Sequence, residues 1–183
     1  METDFAPPNA ADLLPPLDAL RVRLRQFVLY DDYDAGLAGR WLAREITAML
    51  TPVCEVSAEM WKADLATRPD QLREMTLKDA GEADILIVSV SRASAPDPAV
   101  LQWLEALVPW KANRAHRGLL VVLLGAEDCE AEELTAFGEC LAQFARRTDL
   151  AFAWQPMGVR AVGDSGWVFP LLKQLAGMRG LWL

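Results

Sequence analysis

Two short stretches of this chain are apolar almost without interruption. Residues 84–90 read DILIVSV and residues 119–124 read LLVVLL. A strand with one face in water alternates apolar and polar residues, whereas a strand covered on both faces reads as a continuous apolar run. Runs of this length suit strands, because helices need about ten residues or more. Two such strands require a sheet with a layer of structure on each side. The rest of the chain has to supply those layers.

The intervening segments are built for it. Within Gly36–Leu50, the residues Leu37, Trp41, Leu42, Ile46, Met49 and Leu50 recur at helical spacing, and Thr51-Pro52 ends the pattern. Pro69–Gly81 predicts a more polar helix through Leu72, Met75, Leu77 and Ala80. Pro98–Trp110 has a broad apolar face of Val100, Leu101, Trp103, Leu104, Leu107 and Val108. Glu130–Arg147 uses Leu134, Phe137, Cys140, Leu141 and Phe144. Shorter strand patterns lie at Gln26–Tyr30, Val53–Met60 and Ala151–Trp154.

Strands and helices therefore alternate strictly along the chain. That order predicts an α/β fold, a three-layer α/β/α sandwich on a five-stranded parallel sheet, with the flavodoxin-like strand order 2-1-3-4-5. Residues 1–22 form a Pro-rich N-terminal tail (Pro7, Pro8, Pro15, Pro16), and residues 23–183 form a single domain. The apolar end of the chain, Trp167 to Leu183, predicts a fifth helix that closes the sandwich. Cys54 and Cys140 fall on apolar patterns and are expected to be buried.

Charge narrows the function classes. The 183 residues hold 18 Lys and Arg against 26 Asp and Glu, a net charge of −8. Such a surface repels phosphate backbones and anionic lipid, so neither nucleic acid nor a membrane is the expected partner. A single histidine, His116, excludes two-histidine mechanisms. The three cysteines form no CxxC pair, which argues against a disulfide framework or a zinc site. The N-terminus carries acids where a signal peptide carries bases, and no stretch reaches the ~20 apolar residues of a membrane span. A cytoplasmic location with reduced thiols is the expectation.

In sheets of this kind, ligands bind beyond the carboxyl ends of the strands. The candidates there are Asp31, Asp32 and Asp34 after strand 1, Ser89 and Ser91 after strand 3, Gly125 and Ala126 after strand 4, and Gln155 after strand 5. Trp61 and Lys62 are expected in the loop after strand 2, where either a lid over the core or a contact with a partner or small ligand would account for them. Clustered carboxylates suit a hard cation, so Asp31 and Asp32 are candidate Mg²⁺ ligands. The competing reading is that Asp31 or Asp34 caps the first helix. A flavin would need a phosphate cradle in this same loop, and three carboxylates oppose one. No GxSxG elbow is present, and His116 lies at the opposite sheet edge from the serines. Lys111, Arg114, His116 and Arg117 read as a basic helix end that complements the helix dipole. Glu127, Asp128, Glu130, Glu132 and Glu133 read as the acidic start of the next helix.

Two resemblances follow from these residues. The segment QFVLYDDYDAG resembles the start of a bacterial response-regulator receiver domain, which implies an acidic pair that binds Mg²⁺. A receiver also carries a phosphoacceptor Asp at the end of strand 3 and a Lys after strand 5. Here those places hold Val88-Ser89-Val90-Ser91 and Ala153-Trp154-Gln155-Pro156. The resemblance is thus to a degenerate receiver that takes no phosphate. Over residues 25–165, Met60-Trp61-Lys62, Leu72-Arg73, Glu82–Ser89, Pro98-Ala99-Val100 and Trp103-Leu104-Glu105 resemble a family of small uncharacterised bacterial proteins. That resemblance implies a flavodoxin-like fold and brings no catalytic residues.

The expected function is a non-catalytic, receiver-like signalling or protein-interaction module. It would act through a protein partner or self-association, with a homodimer surface on the helix of Trp103 and Trp110 or on the apolar C-terminus. The alternative is a Mg²⁺-dependent enzyme or ligand-binding protein in which Asp31 and Asp32 hold the ion and Ser89 and Ser91 line the site. A flavin-binding protein is the weaker alternative.

Overall fold

The computed structural model describes residues 22–68, 71–91, 98–112, 117–125, 131–157 and 166–178, with the side chains of 131–136, 166 and 178 outside that description. Segment 1–21, Arg114, His116, Ala126, the acidic stretch 127–130 with Cys129, and Leu181-Trp182-Leu183 lie outside the described residues. The elements run β1 (Arg23–Tyr30), α1 (Tyr33–Leu50), β2 (Glu55–Lys62), α2 (Ala63–Ala66), α3 (Gln71–Glu82) and β3 (Ile85–Val90). They continue with α4 (Pro98–Ala112), β4 (Gly118–Gly125), α5 (Ala131–Arg147), β5 (Leu150–Met157), a 3-10 turn (Gly166–Val168) and α6 (Phe169–Met178). All five strands are parallel in the order β2-β1-β3-β4-β5, the flavodoxin-like arrangement. Among the described residues no helix is long and apolar enough to cross a membrane.

The two apolar runs occupy the centre of the sheet, and every residue of β3 and β4 is buried. Alternation along the strands divides the core in two. Phe27, Leu29, Leu86, Val88, Leu120 and Val122 face the layer of α2, α3, α4 and α5. Leu24, Val28, Ile85, Ile87, Leu119 and Val121 face α1 and α6. Trp103 anchors the first layer. It is fully buried, stacks on Phe27 with centroids 5.7 Å apart, and donates its indole N–H to Thr76 Oγ1 at 3.1 Å. One side chain thereby joins α4, α3 and β1, and its polar tip keeps the partner that burial demands.

Several boundaries differ from the sequence expectation. β1 begins at Arg23 because its polar residues find partners along the sheet: Arg23 pairs with Glu55 at 2.8 Å, Arg25 pairs with Glu82, and the Arg25 backbone N–H donates to Asp84 Oδ2 at 2.8 Å. β2 starts two residues later than expected, since the N–H groups of Val53 and Cys54 are spent on Leu50 O at the end of α1. Trp61 and Lys62 are consequently the last residues of an edge strand, and the loop expected there is replaced by the short α2. β5 extends through Pro156, which an edge strand tolerates.

Three side chains also sit differently. Lys111 is 3% exposed and donates from Nζ to Ala83 O at 2.6 Å, so it ties α4 to the entry of β3 and is not part of a solvated basic helix end. Cys54 is buried as expected, and both burial and the nearby Asp84 charge push its thiol pKa up. Cys140 is exposed, because the buried stripe of α5 runs through Phe137, Leu141, Phe144 and Ala145. Trp103, being enclosed, cannot contribute to an external helix surface.

Trp103→Ala is expected to lower the unfolding free energy by about 3–5 kcal/mol. Thr76→Val, which strands the indole N–H in the core, is expected to cost about 1–3 kcal/mol. Denaturant unfolding of each variant measures both, and a neutral Thr76→Val would show that the indole finds another acceptor.

Candidate functional site at the strand carboxyl ends

β1 leaves the sheet at Tyr30, and the next residues turn into α1. Asp32 has extended backbone (φ −134°, ψ −173°), the conformation of a helix N-cap, and its Oδ1 accepts from Ala35 N–H at 2.9 Å. Its carbonyl accepts from Gly36 N–H at 2.9 Å. The cap is therefore Asp32, and not Asp31 or Asp34 as the sequence suggested. Asp34 is exposed in the first turn, where a carboxylate complements the helix dipole.

Asp31 has a different task. Its carboxylate receives the Ser91 backbone N–H at 3.0 Å to each oxygen, the Ser91 hydroxyl at 3.1 Å, and the Asp32 N–H at 2.8 Å. Its own N–H donates to Ser89 O at 3.3 Å. Asp31 thus clamps the exit of β1 to the exit of β3. The clamp depends on a glycine next door: a Cβ on Gly125, at the end of β4, would lie 1.7 Å from Ser91 O.

The two serines part company. Ser89 is fully buried under α1, donating its hydroxyl to Ala35 O at 2.8 Å, with Met157 Sδ at 3.6 Å. Ser91 lies past the end of the strand and turns to Asp31. The helix comes down onto Ser89 because Gly39 has no side chain; a Cβ there would meet Val28 Cγ1 at 2.8 Å and Ser89 Cβ at 3.4 Å. Trp61 packs against the core on the α2–α5 side, opposite the face that holds Ser89. Lys62 reaches Asp64 at 3.3 Å, both groups being half exposed. The structure therefore brings together Asp31, Asp32 and Ser91, and leaves Ser89 and Trp61 to the core. Gln155 is half-buried on β5, with an Oε1 that has no hydrogen-bond partner among the described residues.

Among the described residues no group of three or more His, Cys, Asp or Glu side chains gathers as a metal site would. Asp31 accepts hydrogen bonds on both oxygens, so an ion there would compete with the clamp, and Asp32 offers an ion a carboxylate whose Oδ1 already caps α1. A depression of about 700 Å³ lies elsewhere, over the outer face of α1 beside Leu37, Trp41 and Arg44. A carboxyl pushed upward also lies elsewhere: on β2, burial and then the neighbouring Asp79 push Glu59 above the usual carboxylate range, with Arg25 opposing and Glu82 adding.

No family model matches the sequence, and no curated protein matches it. Among solved structures, the chain is similar to a short-chain flavodoxin associated with a non-canonical PDU bacterial microcompartment. The TM-score is 0.49 at 11% identity, covering 86% of this chain and 97% of that one. At that level the similarity is one of chain path and says nothing of function.

Ser89→Ala is expected to cost about 1 kcal/mol, the net worth of one buried hydrogen bond. Ser89→Asp, which forces a carboxylate beneath α1, is expected to cost about 3 kcal/mol or more. Gly125→Ala should destabilise by about 1–3 kcal/mol through the displacement of Ser91. Thermal unfolding followed by circular dichroism checks all three, and a Ser89→Asp protein as stable as the parent would contradict the enclosure of this position.

Proposed function

We propose that the chain is a non-catalytic, receiver-like interaction module that works through its surfaces, self-association among them. The observation that carries this reading is the use made of Asp31. The carboxylate that would hold an ion is filled by the Ser91 N–H, the Ser91 hydroxyl and the Asp32 N–H. The neighbouring features agree. Asp32 is committed to α1, and Ser89, at the place of a phosphoacceptor, is sealed beneath the same helix. A flavin phosphate is disfavoured at this turn because Asp32 already takes the Ala35 and Gly36 N–H groups, and Asp31, Asp32 and Asp34 repel an anion.

The test is a titration of Mg²⁺, Mn²⁺, acetyl phosphate with Mg²⁺, and flavin mononucleotide, followed by tryptophan fluorescence, thermal midpoint and intact mass. The module reading predicts no saturable response and no phosphoryl adduct. Asp32→Asn is the informative control, since asparagine keeps a capping oxygen while removing the charge. Saturable metal binding that is lost in Asp32→Asn would overturn the reading in favour of a metal-dependent site. Stoichiometric flavin uptake would overturn it in favour of a flavoprotein.

A further inference from the structure

β2 is the edge strand on one side of the sheet, eight residues long, pairing with β1 in unbroken register. The N–H of Glu55 donates to Val22 O on the β1 side. In a parallel ladder alternate residues turn their backbone groups to the same neighbour. Glu55, Ser57, Glu59 and Trp61 therefore face β1, while Val56, Ala58, Met60 and Lys62 direct their N–H and C=O groups away from the sheet. The side chains of these last four lie on the α1 face, in register with Leu24, Gln26, Val28 and Tyr30. Val56 packs on the core, but Ala58 and Met60 are exposed, Met60 at 37%. Natural edge strands are commonly blunted by lysine, proline, a bulge or brevity. β2 has no proline, bulge or early end, and of its charged residues only Lys62, at its last position, belongs to the outward-facing set.

We propose that β2 pairs with β2 of a second copy of this chain, antiparallel about a two-fold axis at Ala58, so that the two sheets become one. Such an axis, normal to the sheet, keeps each face on its own side, which restricts the registers that the pleat allows. With Ala58 opposite its own copy, Val56 faces Met60 of the second copy, Ser57 faces Glu59, and Glu55 faces Trp61. No like charges stand opposite, and the Ser57 hydroxyl meets a carboxylate. Sliding by one step places Glu59 opposite Glu59, or Glu55 opposite Glu59, and like charges directly across a ladder are destabilising. Larger slips leave the strands half-paired. The favoured register also gathers Val56, Ala58 and Met60 of both copies into one apolar patch on the α1 face, which removes the exposed Met60 from water.

This inference rests on the module reading and supplies its partner, but it fails separately. Sedimentation velocity over a dilution series from about 100 µM is expected to give twice the 20.2 kDa chain mass at the upper end. Ala58→Lys sets two ammonium groups opposite each other on the axis and should weaken the dimer by about tenfold or more. Ala58→Pro removes only the outward N–H, which β1 does not use, and should also give monomer. Amide exchange reads the register without mutation: Val56, Ala58 and Met60 should be protected at high concentration and lose protection on dilution, while Ser57, Glu59 and Trp61 stay protected throughout. A parent protein that is monomeric at every concentration would overturn the proposal. So would a dimer that is indifferent to both substitutions. Neither result touches the carboxyl edge, so a silent metal and phosphate titration would leave the module reading standing with another partner. A positive titration beside an Ala58-dependent dimer would remove that reading and keep the pairing.

Discussion

Two-sided burial of β3 and β4 is the constraint on which the structure depends. No position in either strand can meet water, so the sheet has to be parallel, central and covered by helices on both faces. Once α1 is pressed onto that sheet, the exits of β1 and β3 come side by side. Asp31 and Ser91 then sit within hydrogen-bond reach, and Gly125 on β4 leaves room for the Ser91 backbone. The arrangement at the carboxyl edge is thus a consequence of packing beneath it.

The same logic explains why the edge reads as structural. Of the three acids within residues 31–34, one clamps two strands, one caps a helix, and one lies in its first turn. Each of these tasks stabilises the fold only while the carboxylate stays engaged. A surface that has used its polar groups internally is suited to be recognised as a shape. Along the outer side of β2 the situation is reversed, because that strand leaves backbone groups and Met60 outward.

The layer architecture and the strand order were legible in the sequence because the apolar runs and helical spacings are local signals. What was not legible depended on contacts between distant residues. β1 reaches back to Arg23 because Glu55 and Glu82, far along the chain, receive its arginines. β2 begins late because Val53 and Cys54 finish off α1. Lys111 looks like a surface cation until the Ala83 carbonyl is placed beside it. At the site, the shared edge of Asp31 and Ser91 could be read from strand order. Their pairing could not, since it needs Ser91 to turn off the strand and Gly125 to make space. The separate fate of Ser89 was likewise hidden in the close approach that Gly39 permits.

The most direct test of the account is the unfolding free energy of Asp31→Asn. If the Asp31 carboxylate is a clamp, neutralising it weakens several charge-assisted hydrogen bonds, and the protein should lose about 1.5–3 kcal/mol. If Asp31 and Asp32 are instead held together as an ion site, the substitution relieves repulsion in a chain of net charge −8, and the metal-free protein should gain stability. A destabilised variant is the predicted result, and a stabilised one would contradict the account.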